Sequence, residues 1–162
     1  RPPLGGVRLG DLQTDPPLGG GPILGAPQDK NIGDSIIAEL QKTKETSGIA
    51  INKISNLSGQ IDFLAAAALQ QKAILNYVND SAPLHFCSSV NAPVVAVYCS
   101  TLPYFGFGPL STHSFIVETK EKISCRPCGL HGKKQCPLGH FQCAHSIENA
   151  QLLAPLLQVS QH

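Results

Sequence analysis

At 162 residues the chain is long enough for one domain with a sizeable core, or for one half of a larger enzyme. Twelve Lys and Arg against eleven Asp and Glu leave a net charge of +1, so no charge excess points to nucleic acid or an anionic membrane. No apolar run approaches the roughly 20 residues that span a bilayer, and the chain reads as soluble.

Residues 1–22 hold five of the thirteen prolines and six of the fifteen glycines, with "PPLGG" at 2–6 and again at 16–20. So few large apolar side chains cannot offset the entropy of ordering the segment, which predicts a loose tail. The chain opens without Met, and "RPPLGG" lacks the charged-then-apolar layout of a signal peptide, so it reads as a fragment or a processed product.

From 23 to 162 the elements alternate. "PILG" is a short apolar run closed by the turn-forming "APQD". "NIGDSIIAELQKTKE" predicts a helix with Ile32, Ile36, Ile37 and Leu40 on one face and "TSG" as its stop. "IAINKI" predicts a strand, and "DFLAAAALQQKA" a helix whose first N–H groups Asp62 can cap. "ILNYV" predicts a buried strand, "APLHFCSSV" a short helix with Pro83 in its first turn, and "PVVAVY" another strand. "SFIVE" at 114–118 predicts a fifth strand, and "SIENAQLLAPLLQV" a final helix interrupted by Pro155. Strands alternating with helices imply βαβ units, hence an α/β, Rossmann-like parallel sheet with helices on both faces.

Between the fifth strand and the last helix, "CRPCGLHGKKQCPLGHFQC" places Cys125, Cys128, Cys136 and Cys143 at C-x2-C-x7-C-x6-C spacing. "CRPCG" resembles a zinc knuckle, but the second pair is wider than in a standard ribbon. Structural zinc, free thiols and disulfides all remain open, with His131, His140 and His145 as replacement ligands. A closed four-thiolate site would be structural, not catalytic. Crowding of four cysteines into one stretch of an apolar-rich chain favours a reducing compartment. Arg126, Lys133 and Lys134 in the same stretch could meet an anionic acceptor, although a solvated face is the simpler reading.

In open parallel sheets, ligands bind beyond the carboxyl ends of strands. Asp80 follows "ILNYVN", and the next helix starts at Ser81 or Ala82, where free N–H groups and the positive dipole end suit a phosphate. Ser81 can donate its hydroxyl, small Ala82 lets an anion approach, and His85 lies one turn in. Asp80 would repel phosphate but accept from sugar hydroxyls. The simpler alternative makes Asp80 or Ser81 a helix cap and His85 a surface histidine.

The stretch "NLSGQIDFLAAAALQQKAILNYVNDSAPLHFCSSVNAPVVAVYCSTLPYFGFGPL" resembles the carboxyl-terminal domain of the ADP-heptose:lipopolysaccharide heptosyltransferase family. The shared features are an Asn-Leu-x-Gly element, a capped helix, Asp-(Ser/Thr)-Gly-x-x-His after a strand, and a Thr-x-Pro loop. The resemblance implies one half of a glycosyltransferase-B fold. It also implies transfer of a sugar from a nucleotide-sugar donor, ADP-heptose, to a lipid A or core-oligosaccharide acceptor. It makes Asp80 the heptose-binding residue and Ser81, Ala82 and His85 the diphosphate-holding group. Asp29 in "LGAPQDK" becomes the ribose-binding acid, and Thr101, Pro103 and "FGFG" border the same cleft. Ala82 stands where the family has Gly, and residues 1–22 offer no match to the family's phosphate-contacting lysine. The family's presumed catalytic base, an aspartate, lies in an amino-terminal domain that these 162 residues do not contain, so no catalytic residue is assigned. Alone, the chain is expected to bind donor weakly and not to transfer sugar. The transfer needs no cofactor on this reading, and the implied location is the cytoplasm, at most peripheral to the inner membrane. Two alternatives compete: a non-catalytic or degenerate nucleotide-binding scaffold, and a zinc-ribbon nucleic-acid binder, which needs basic and aromatic stripes that the chain lacks.

Overall fold

The structure is a computed structural model, and it describes residues 20–47 and 54–159. Residues 1–19, and most of the strand expected at "IAINKI", lie outside the described residues. The chain divides into two compact units, Arg1–Ala66 and Ala67–His162.

In the first unit, β1 (Pro22–Ile23) pairs in parallel with β2 (Ser55–Asn56). Pro22 therefore belongs to the first strand rather than to the preceding Gly/Pro-rich segment. A 3-10 turn at Pro27–Asp29 leads into α1 (Lys30–Ser47), which includes Thr46 and Ser47 of the expected stop. The face of α1 is only in part the one the sequence predicts: Ile37 and Leu40 are half-buried, but Ile32 is 62% and Ile36 45% exposed, while Gly33 is buried. The cause is Asn56, whose amide Nδ2 donates to the Lys30 carbonyl at 2.8 Å and to Asp34 Oδ1 at 2.8 Å. A Cβ on Gly33 would stand 2.6 Å from that Nδ2. Close approach at Gly33 turns the stripe Gly33, Ile37 and Leu40 inward and the Ile32–Ile36 stripe outward.

Gly59 closes the β2 turn at φ 72°, where a Cβ would stand 2.7 Å from Pro27 Cα. Only glycine meets both conditions. α2 (Phe63–Lys72) is capped as expected, with Asp62 Oδ1 accepting from the Ala65 N–H at 2.8 Å.

The second unit carries a three-stranded parallel sheet in the order β3 (Asn76–Asn79), β4 (Val94–Tyr98), β5 (Ser114–Glu118). Val94, Val95, Ala96 and Tyr98 are wholly buried, as a central parallel strand covered on both faces requires. α3 (Ala82–Ser89) contributes Leu84 and Cys87 to one core with Val78, Val94, Ala96 and Tyr98. Side chains alternate along strands, so α3 covers the Val94–Ala96–Tyr98 face. Tyr77, paired with Val95, points to the other face, where its hydroxyl donates to Leu152 of α5 (Asn149–Val159) at 2.6 Å. Helices thus flank both faces of this sheet.

Two expectations need correction here. The segment "ILNYV" is not a buried strand: β3 starts only at Asn76, Tyr77 is 45% exposed and Val78 alone is buried, because β3 pairs only with β4 among the described residues. Pro155 does not interrupt α5, which runs through it with the ring buried. A short helix, α4 (Gln142–His145), precedes α5. Among the described residues no helix is long and apolar enough to cross a membrane.

Candidate functional site

The carboxyl ends of β3 and β4 deliver Asp80 and Thr101 to one point. Thr101 Oγ1 donates to Asp80 Oδ2 at 2.5 Å, a short charge-assisted bond that fixes the carboxylate and leaves Oδ1 open. Thr101 is buried and Asp80 half-buried.

Ser81 occupies the N-cap of α3 in extended conformation (φ −160°, ψ −178°), yet its hydroxyl makes no capping bond. Among the described residues it makes one long hydrogen bond, donated to the Asn79 carbonyl at 3.4 Å. Neither Asp80 nor Ser81 therefore spends its side chain as a cap, contrary to the simpler reading. Ala82 at the first helical position has no intrahelical acceptor for its N–H. Pro83 brings no N–H, and that of Leu84 is taken by the Ser81 carbonyl at 3.0 Å. Ser81 and Ala82 are exposed at this helix start, with the Ala82 N–H free of an intrahelical acceptor and His85 exposed one turn later. The arrangement presents an acceptor, Asp80, beside positive dipole and donor groups, which matches a sugar linked to a phosphate.

Asp29 lies in the first unit. Its Oδ2 accepts from the Ala26 N–H at 2.9 Å, closing the 3-10 turn. A Cβ on Gly25 would stand 2.9 Å from both Asp29 Cβ and Ser58 Oγ, so Gly25 lets these groups crowd together. Ser58 Oγ is buried without a protein partner.

The loop after β4 continues with a 3-10 turn at Pro103–Phe105, closed by Gly106 at φ 92°. The Phe107 carbonyl accepts from the Tyr98 hydroxyl at 3.1 Å. Burial, the Asp80 charge and the Glu118 charge push the Tyr98 phenol up to about 12. Burial likewise pushes the Cys87 thiol up to about 11.

Sequence reasoning missed Arg126. It is not part of a solvated face: its side chain is 9% exposed, and Nη2 donates to Glu118 Oε2 at 2.6 Å and to the Thr101 carbonyl at 2.9 Å. Its Nε donates to the Cys99 carbonyl at 2.7 Å. The guanidinium fork therefore ties the Cys-rich loop to the segment that holds Thr101. The only signal in the sequence is an Arg between two knuckle cysteines, and that spacing does not reveal a fold-back of 25 residues. Lys133 and Lys134 are exposed, as a solvated face requires.

All six cysteines are free. Cys125, Cys128, Cys136 and Cys143, with His140, line one cavity of about 20 Å³. Among the described residues, no group of three or more His, Cys, Asp or Glu side chains is placed so that it could hold a metal ion. A wider depression of about 420 Å³ borders Leu102, Glu121, Lys122 and Arg126. Both cavities adjoin the Thr101 loop rather than Ser81 and His85.

The chain shares this architecture with solved glycosyltransferases. It is 24% identical to a chain described as Escherichia coli ADP-heptose LPS heptosyltransferase II, with a TM-score of 0.55 over 86% of this chain and 37% of that one. It is 22% identical to a glycosyl transferase of family 9 from Veillonella parvula, with a TM-score of 0.58 over 85% of this chain and 35% of that one. At such identities the likeness shows the fold, parallel sheets flanked by helices as in glycosyltransferase-B enzymes. The chain spans little more than a third of either neighbour. No curated protein matches it. The model of glycosyltransferase family 9 (heptosyltransferase) matches residues 23–141, most of the chain, and the chain belongs to that family.

Proposed function

We propose that this chain is the donor-binding half of a glycosyltransferase that moves a heptose from ADP-heptose to a lipopolysaccharide core-type acceptor. The observation that carries the reading is the Asp80–Thr101 pair beside a helix start whose cap residue makes no side-chain capping bond. Family membership supports the reaction class, and the name of the Escherichia coli neighbour supports ADP-heptose as the donor.

On this reading Asp80 Oδ1 accepts from heptose hydroxyls while Thr101 holds Oδ2. The Ser81 hydroxyl, the Ala82 N–H and His85 face the diphosphate. As the sugar–phosphate bond breaks, negative charge grows on the leaving ADP, and donors fixed at that place lower the barrier without reorganising. Asp29 is the candidate for the ribose hydroxyls, since a carboxylate holding one backbone N–H through Oδ2 retains Oδ1 as an acceptor.

Calorimetric titration tests this. ADP-heptose should bind in preference to UDP- and GDP-sugars, and Asp80→Ala and His85→Ala should each abolish binding. Normal ADP-heptose affinity in both variants, or equal affinity for all three nucleotide types, would refute the assignment.

A further inference from the structure

We propose that Cys125, Cys128, Cys136 and Cys143 bind one thiophilic divalent cation, zinc, which fastens the loop at 119–141 against the strand ends.

Four cysteines line one small cavity of about 20 Å³, enough for a water-sized sphere and so for a single ion. The turn geometry is that of a thiolate pair supported by backbone amides. Cys128 is followed by Gly129 at φ 84°, and Cys136 is followed three residues later by Gly139 at φ 71°. The Gly139 N–H donates to the Cys136 carbonyl at 3.1 Å, and the Phe141 N–H to Cys136 Sγ at 3.4 Å. Left-handed glycines let the chain curl so that N–H groups face the sulfur, where they stabilise an anionic ligand. His140 Nε2 lies 3.9 Å from Cys125 Sγ, at the rim of the same cavity.

An independent observation concerns what else could hold this loop. Residues 119–141 contain no helix or strand. A structureless loop beyond about 12–15 residues is uncommon in a compact domain and needs a specific anchor. Its two leucines do not supply one, because Leu130 is 51% and Leu138 62% exposed. Yet the loop is docked at defined points. The Cys128 N–H donates to the Ser100 carbonyl at 2.8 Å, Phe107 packs against His131 with centroids 5.7 Å apart, and Arg126 holds Glu118 and the Thr101 carbonyl. A closed four-thiolate site supplies the missing cohesion. As placed the four side chains do not close on an ion, so the proposed binding includes a change of χ1 well in one or more of them, which moves a sulfur between staggered positions. Binding releases one proton from each thiol that enters as a thiolate, with no change in oxidation state.

The test is metal analysis of the protein purified without added zinc or chelator. The expected result is about one zinc per chain, released stoichiometrically when a mercurial reagent titrates four thiols. Cobalt substitution should give the thiolate charge-transfer and tetrahedral ligand-field bands of a four-sulfur site. Cys125→Ser and Cys136→Ser should lose the metal, while Cys87→Ser, in the core beneath α3, should keep it. If the serine variants do not fold, the zinc-release and cobalt measurements on the unaltered chain still decide. Six freely reacting thiols with no bound metal, or intramolecular disulfides in the intact mass, would overturn the proposal.

Discussion

At the scale of single residues, three contacts make separate predictions. The Thr101 hydroxyl anchors Asp80 at 2.5 Å. Thr101→Val keeps the volume but removes the bond, worth roughly 1.5–3 kcal/mol to a charged group. Donor affinity should fall about tenfold or more in calorimetry, and the unfolding temperature should fall by several degrees as the buried bond is lost. Arg126→Ala leaves Glu118 without its cation and three carbonyls without their donor. Because Glu118 is 37% exposed, the loss should be about 2–4 kcal/mol, at or below that of a fully buried pair. Arg126→Lys should rescue only part of it in urea unfolding, since an ammonium lacks the planar fork. Tyr98 makes a pH prediction. Its folded-state pKa, about 12, lies above the ordinary 10.0. The neutral phenol is thus favoured by folding, its contribution is complete below pH 10, and it is lost as pH rises from 10 towards 12. Urea midpoints measured across that range should fall, and Tyr98→Phe should flatten the fall.

At the scale of elements, legibility in the sequence followed how local the cause was. Asp62 capping α2, the limits of β5 and the strand "VVAVY" were readable because each depends on neighbouring residues only. The buried face of α1 was readable only in Ile37 and Leu40, since its centre is decided by Asn56, more than 20 residues away, and by the absence of a Cβ on Gly33. The continuity of α5 through Pro155 also escaped, because burial of the ring in tertiary packing offsets a local penalty of about 3 kcal/mol. The Asp80–Ser81–Ala82–His85 helix start was legible as a pattern, whereas the Thr101 bond and the Arg126 clamp needed the fold. Gly59 tests the element scale. At φ 72° with Pro27 Cα close by, Gly59→Ala should cost about 1–2 kcal/mol from the left-handed backbone, plus the clash. A thermal midpoint unchanged by Gly59→Ala would show that the β2 turn differs from the one described. Leu84→Ala, in the core under α3, should cost roughly 2–5 kcal/mol.

At the scale of the whole molecule, membership of glycosyltransferase family 9 and the fold agree with the α/β reading of the sequence. The chain covers 37% and 35% of the two neighbouring structures, little more than a third of either. Under the proposed function, what these residues do by themselves is hold a nucleotide sugar and stabilise its leaving group. The most direct measurement is a titration of the isotopically labelled chain with ADP-heptose, followed through its backbone amide resonances. The account predicts saturable shifts at Ala82, Leu84 and Thr101, absent in Asp80→Ala. Shifts confined to other segments, or none at all, would contradict it.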